Sequence, residues 1–575
     1  MRSPSVCALT CALALAACSG GSEPPPPSSA ISLNVGEGRT LTASQAATIE
    51  VSGGAAGGDF VLIPVHGSQT PGATVALEFA GSQITTVTGP PLPQLAPATE
   101  PVFSVERLAS LEARGAMRAR FDGELRRLER DVFARRMPAA RAARARRASA
   151  SVSGSGSLAA VPNVGDQVTY NTSSTSACDP ALASMRTGRV VAVTQLAVVV
   201  ADLENPTGGF TDAEYANIGA QFDSFVHPIV TQNFGTTIDV DANGGRSVIF
   251  YTRAVNELTA AGSEAIVGGF FHPRDLFPKT ASDPRDACAS SNEAEMFYML
   301  VPDPTGAVNG NVRTKESVLG GTVGVLGHEY QHLINASRRI FVNEAFGFEQ
   351  VWLNEGLSHI AEELLFYSAS GLAPRQNITF TQLVSTDAVR NAVNAYQIDN
   401  FARLLEYLED PEVRSPYGSD DELATRGATW QLLRYAADRG TTPQQTVWFN
   451  LANSRNSGIT NFTAVFGGDF NALVRDWTVA QYADDAVTPV PATHQHPSWH
   501  FRSIMPRVSN QQNPPPYPLK TRSLVAGTPL SLTLRGGSAA YLRFRVAGGA
   551  VGTITPTSSG AAPPAAVSFT VLRTR

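Results

Sequence analysis

An α+β fold is predicted: strands and helices through the middle of the chain and small all-β domains on both flanks. Three observations predict it. Residues 323–365 carry helix-period apolar stripes on either side of a short loop. Residues 31–100 and 501–575 show short apolar alternations broken by Gly, Ser and Pro, which is strand-and-turn punctuation. Between 161 and 300, strand-like runs alternate with an amphipathic helical stretch. The 575 residues suggest two to four domains, and 43% hydrophobic content supplies their cores. A net charge of −6 predicts no nucleic-acid partner.

Residues 1–17 read as a signal peptide, with Arg2 before an apolar run from Cys7 to Ala17 that is too short to span a bilayer. Leu15-Ala16-Ala17-Cys18 resembles the bacterial lipobox, which implies cleavage before Cys18 and its acylation. The Pro- and Ser-rich stretch to residue 30 then reads as a tether. This implies a bacterial cell-envelope protein held at a membrane, expected to be the outer one, by an N-terminal lipid anchor; a conventional signal would make it extracellular. Three of the five cysteines fall in this leader. The remaining pair, Cys178 and Cys288, suggests one disulfide in an exported chain, the alternative being two buried thiols.

Residues 31–100 read as an N-terminal β-domain, with runs such as Phe60-Val61-Leu62-Ile63-Pro64-Val65. Residues 101–160 hold an Arg-rich helix up to Pro138, then Ala-Arg repeats and a Ser/Gly linker. Their plain reading is a solvated spacer. Sharper ones are a propeptide cut near Arg144-Ala145-Arg146-Arg147, or a basic helix on anionic lipid. A domain from 161 to 500 follows. Val190 to Leu203 is strand-like, and Phe210 to Phe234 is an amphipathic helix opened by a Thr211/Glu214 capping box. Asp239-Val240-Asp241-Ala242-Asn243-Gly244 resembles the start of a calcium loop, but its twelfth position is Phe250. A turn into the strand Ser247 to Tyr251 is therefore expected, with Ca2+ as the lesser reading.

The chemistry is concentrated in His328-Glu329-Tyr330-Gln331-His332 and Trp352-Leu353-Asn354-Glu355-Gly356. Residues four apart share a helix face, so His328 and His332 offer two imidazoles to one metal, with Glu329 beside them as a general base. Glu355 can fold back as the third ligand, and Glu362, seven residues on, can take the second N–H of a ligand histidine. Two imidazoles and a carboxylate with an open position describe a catalytic site for one Zn2+. The two stretches resemble the zinc metallopeptidases related to hyicolysin, within the HExxH zincins whose third ligand is a glutamate. The second stretch also resembles the equivalent helix of aminopeptidase N-like enzymes, in which a glutamate seven residues on supports the site. Two departures are that 22 residues separate His332 from Glu355, and that His359 stands where thermolysin-like enzymes have aspartate, making it a rival ligand.

The resemblance implies a zincin-type metallopeptidase domain acting on proteins or peptides. It also implies an edge strand, here Glu293 to Leu300, ahead of the metal helix, and a helical half, here Asp399 to Glu409 and Gly427 to Asp438. That half should supply an oxyanion-stabilising group, for which Tyr417 is the candidate. His494, His496 and His500 cluster further on and read as a solvated linker. Without the Gly-x-Met-Glu-Asn stretch by which aminopeptidases grip a free amino terminus, an endopeptidase is expected. The alternatives are an aminopeptidase and a catalytically idle surface binding or adhesion protein. No Gly-x-Ser-x-Gly elbow supports a serine hydrolase. Residues 501–575 close the chain as a C-terminal β-domain.

Overall fold

The computed structural model describes residues 30–70, 72–87, 121–152, 161–263, 266–419, 422–508 and 517–575. The expected leader and Cys18 lie outside them. Strands β1 (Gly38–Thr42), β2 (Ile49–Ser52), β3 (Gly58–His66) and β4 (Thr74–Ser82) come from the N-terminal stretch. The central sheet holds β5 (Gln167–Asn171), β6 (Met185–Val193), β7 (Ala197–Asp202), β8 (Ser247–Tyr251), β9 (Gly269–Phe271) and β10 (Met296–Met299). The C-terminal stretch gives β11 (Arg522–Ser523), β12 (Leu530–Arg535), β13 (Leu542–Val546), β14 (Val551–Thr557) and β15 (Val567–Arg573).

The two terminal β-stretches, expected as separate domains, form one sandwich. Its sheets run β1-β15-β3-β13-β11 and β12-β4-β14-β2, so nearly every strand pairs with one from the other end of the chain. Neither stretch has enough apolar surface to close a core alone, and together they enclose Phe60, Leu62, Phe79, Phe544, Phe569 and Val571. Strand β3 explains how the sandwich docks. It is buried at all nine positions, and its apolar run from Phe60 to Val65 is unbroken. Phe60 and Leu62 face the sandwich core, while Val61, Ile63 and Val65 face the helical body. Phe501, Ile504 and Met505, expected in the C-terminal domain, also belong to the helical body.

The central sheet is mixed, in the order β5-β6-β7-β8-β10-β9. The run read as one strand from Val190 is the antiparallel pair β6–β7. Its turn carries no Gly or Pro signal because Asp223, from the next helix, supplies the acceptors for Thr194 Oγ1 and the amides of Gln195 and Leu196. Helices α1 (Asp212–Gln221) and α2 (His227–Phe234) flank a π-turn, and α1 opens with the expected Thr211/Glu214 capping box. The stretch expected as an edge strand, β10, lies inside the sheet; the edge is β9, antiparallel to it and, at three residues, too short to show a period. Cys178 and Cys288 are joined as a disulfide.

Beyond the sheet come α3 (Lys315–Ser337), α4 (Val351–Ser370), α5 (Ile398–Glu409) and α6 (Leu423–Arg439). Thr314 caps α3 by accepting the Ser317 amide, and Gly371, in the left-handed conformation at φ 72°, ends α4. The close approach of α5 and α6 depends on Gly427, where a Cβ would stand 2.3 Å from the Arg403 carbonyl carbon. Among the described residues, no helix is long and apolar enough to cross a membrane.

Candidate metal centre

The long helices α3 and α4 pack together and bring His328, His332 and Glu355 to one point, all three side chains buried. The imidazole Nε2 atoms lie 3.2 Å apart. Glu355 Oε2 lies 3.5 Å from Nε2 of His328 and Oε1 lies 3.5 Å from Nε2 of His332. A tetrahedral zinc with bonds near 2.0–2.1 Å needs ligand atoms about 3.3–3.4 Å apart, so the triangle is the right size. Neither Glu355 oxygen has a well-formed hydrogen bond; Oε1 meets Arg126 Nε at 3.3 Å and Oε2 meets Arg426 Nη1 at 2.9 Å as ion pairs. Buried acceptors left in that state mark a place for a cation.

The atoms behind the triangle are committed to holding it. His328 Nδ1 lies 2.8 Å from Glu362 Oε1, and His332 Nδ1 lies 3.2 Å from Asn354 Oδ1. Each ring therefore turns its Nε2 toward the shared point. Burial drives His332 down to about 4, which keeps its imidazole neutral, the form that binds metal. Burial would raise Glu362, but His359 and Arg403 outweigh it and hold the carboxylate well below its ordinary range. His359, the rival ligand, has its Nδ1 3.2 Å from Glu362 Oε2 and 3.1 Å from Arg403 Nη1. A second grouping of His328, His359 and Glu362 exists, but it would break the bond that orients His328.

Glu329 lies beside the triangle, its Oε2 accepting the Phe271 amide of edge strand β9 at 3.0 Å. The carboxylate is thus held between the metal helix and the edge of the sheet. Sequence reasoning passed over two cations here, Arg403 on α5 and Arg426 on α6. Arg426 Nη1 lies 2.9 Å from Glu355 Oε2. Only helix packing brings either arginine to the centre. Asn354 was adjacent to Glu355 and legible as a ring-orienting acceptor.

Tyr417 is not brought to this point. Its hydroxyl donates to the Ser68 carbonyl at 3.2 Å and its ring packs on Trp352 and Phe470, at the joint with the sandwich. His496 and His500 are likewise engaged elsewhere: His496 lies between Tyr435 and Phe501, and His500 sits 3.2 Å from Asp485. Asp239, Asp241 and Glu295 bring carboxylate oxygens within 4.8 Å of one another. That turn is closed by its own bonds, from the Gly245 amide to Asp239 at 3.0 Å and from the Arg246 amide to Asn243 at 2.8 Å, and Phe250 lies within β8. The loop thus lacks the twelfth-position carboxylate of a calcium loop, although Glu295 Oε2 is buried there without a hydrogen-bond partner.

No family model matches the chain. Over 154 residues it is 32% identical to the neutral metalloprotease ShpI of Staphylococcus hyicus, a stretch that is 27% of this chain. The chain spans about a third of that relative's length, 31%. The likeness is to part of a metalloprotease, and the buried His/Glu triangle is where a metal ion fits.

Proposed function

We propose that the protein is a zinc-dependent endopeptidase. The observation that carries this reading is the zinc-sized triangle of His328, His332 and Glu355 with the Glu329 carboxylate beside it. His328, His332 and Glu355 would hold the ion. When bound, zinc supplies Lewis acidity toward a peptide carbonyl and lowers the pKa of a water to about 7. Glu329 takes the proton from the attacking water and returns it to the leaving amine. Its bond from the Phe271 amide fixes the carboxylate at the edge of the sheet, beside the metal helix. Glu362 and Asn354 hold the two rings in orientation. Arg426 sets a positive charge at the reacting centre, the role for which Tyr417 is misplaced. The relative is named a neutral metalloprotease, which agrees with a protein substrate.

Casein hydrolysis tests this, measured on the intact chain and again after limited trypsin treatment stopped with a serine-protease inhibitor. Internal cleavage that ends with chelator is expected. Glu329→Gln should keep its zinc and lose activity about 1,000-fold. A variant that still cuts with zinc in place would sink the assignment. Release of single amino-terminal residues alone would favour the aminopeptidase reading, and bound zinc without any cleavage would favour the idle binding protein. We also propose, from the leader sequence alone, envelope attachment through Cys18; labelling with radioactive palmitate that persists in Cys18→Ala would refute it.

A further inference from the structure

The Arg-rich segment expected as a solvated spacer is docked on the metal centre. It is helical from residue 121, continues through the turns Glu129–Phe133 and Ala134–Arg136, and ends in the helix Met137–Val152. Its inner face buries charge: Asp122 is 7% exposed, Arg126 3% and Glu129 1%. Arg127, on the outer face, is 59% exposed. Arg126 Nε lies 3.3 Å from Glu355 Oε1, and Arg126 Nη1 pairs with Glu129. On the other side, Asp122 accepts from Arg426 Nη2 at 2.7 Å while Arg426 Nη1 reaches Glu355 Oε2 at 2.9 Å. The result is an alternating chain of charge, Asp122–Arg426–Glu355–Arg126–Glu129, with the third metal-ligand candidate in its middle.

Apolar contacts fix the segment over the edge strand that holds Glu329. Phe121 stacks edge-on against Phe270 at 5.3 Å, and Phe133 packs on Phe277 at 5.4 Å and on His272 at 5.8 Å. Further along, Arg141 donates to the carbonyls of Ile340 and Ala345 at 2.7 and 2.6 Å, just past the metal helix. A buried guanidinium beside a zinc ligand repels a dication, and a helix seated against β9 covers the sheet edge next to Glu329, an edge that an extended peptide could otherwise join.

Resting on the endopeptidase reading, we infer that residues 121–136 are a built-in occupant of the substrate cleft, locked by Arg126 on Glu355, and that the intact chain is held inactive until this segment leaves. The lock is an ion pair to the site itself and not a surface contact. Its removal unmasks Glu355 and also frees Arg426 from Asp122, so one departure opens the cleft and releases a cation toward substrate.

The test uses the full chain in two readouts. The first is binding of a labelled casein peptide to the Glu329→Gln protein, followed by fluorescence anisotropy; the second is casein hydrolysis with Glu329 intact. Arg126→Gln should raise both peptide affinity and hydrolysis about tenfold or more, because the apparent affinity of a closed site is reduced by the fraction that is open. Asp122→Asn should move both in the same direction by less, and it serves if Arg126→Gln fails to fold by thermal melt. Arg127→Gln should change neither. Equal peptide affinity in the parent, Arg126→Gln and Asp122→Asn would overturn the lock, as would full hydrolysis by the intact parent. Peptide binding unmasked by Arg126→Gln without any hydrolysis would leave the lock standing and overturn the peptidase reading instead.

Discussion

Two buried clusters of charge lie close together in this molecule, and they are built in opposite ways. Around Arg274 every group is answered. The guanidinium donates to Asp275, to Ser176 Oγ, to the Tyr298 hydroxyl and to the carbonyls of Ser173 and Asn171, between 2.6 and 3.4 Å. Asp275 accepts in addition from the Tyr298 hydroxyl at 2.6 Å and the Asn292 amide at 2.8 Å. Around Glu355, the His359 Nε2 has no hydrogen-bond partner in the protein, and the two carboxylate oxygens meet Arg126 and Arg426 as ion pairs without a well-formed hydrogen bond. The first cluster ties the start of the sheet to the loop after β9, and it is architecture. The second is equally buried yet incomplete, which is what a site for a cation and a substrate needs.

The largest effect should come from breaking the complete cluster. Arg274→Met leaves Asp275 buried without its cation and should cost about 3–5 kcal/mol of stability, read from denaturant unfolding. A loss under about 1 kcal/mol would show that the network is not holding the fold. His496 offers an intermediate case, a buried ring with an unpartnered Nε2 and no charge to meet. Burial depresses it to about 3 from the ordinary 6.5. Below pH 6.5 the unfolded chain takes up a proton that the folded chain refuses, so stability falls as pH drops from 6.5 toward 3. At pH 5 the loss from this group is about 2 kcal/mol. His496→Phe should flatten that limb of the stability curve; an unchanged slope would rule the residue out as its cause. The smallest effect is expected at the incomplete cluster. Asn354→Ala removes one of the two acceptors near His332 Nδ1, leaving Ser358 Oγ at 3.2 Å, and should weaken zinc binding by up to about tenfold, measured by chelator competition, with little change in the melting of the zinc-free chain.

Much of the metal centre was legible because its residues are local. His328, Glu329 and His332 share one helix turn, and Glu355 with Glu362 share the next helix, so period alone puts them on faces that can meet. Glu362 and Asn354 could be anticipated by the same argument. Arg403 and Arg426 could not: each sits on a separate helix with no motif around it, and a close approach at Gly427 sets their positions. Tyr417 failed for a related reason, since a loop tyrosine before a helix has no periodicity to say which side it faces, and the sandwich claimed its hydroxyl.

Sequence by itself determined the strand-rich ends, the capped start at Thr211 and the helix faces that carry the candidate metal ligands, because propensity, capping and periodicity act within a few residues. Tertiary structure decided which distant pieces complete one another. Strand pairing depends on surfaces that meet only after folding, so β3 and β15 join across the whole chain into one sandwich. The Arg-rich segment looked solvated because charge usually is. Only the fold supplied the buried carboxylates that draw Arg126 inward, and with them a reason for the metal centre to be covered.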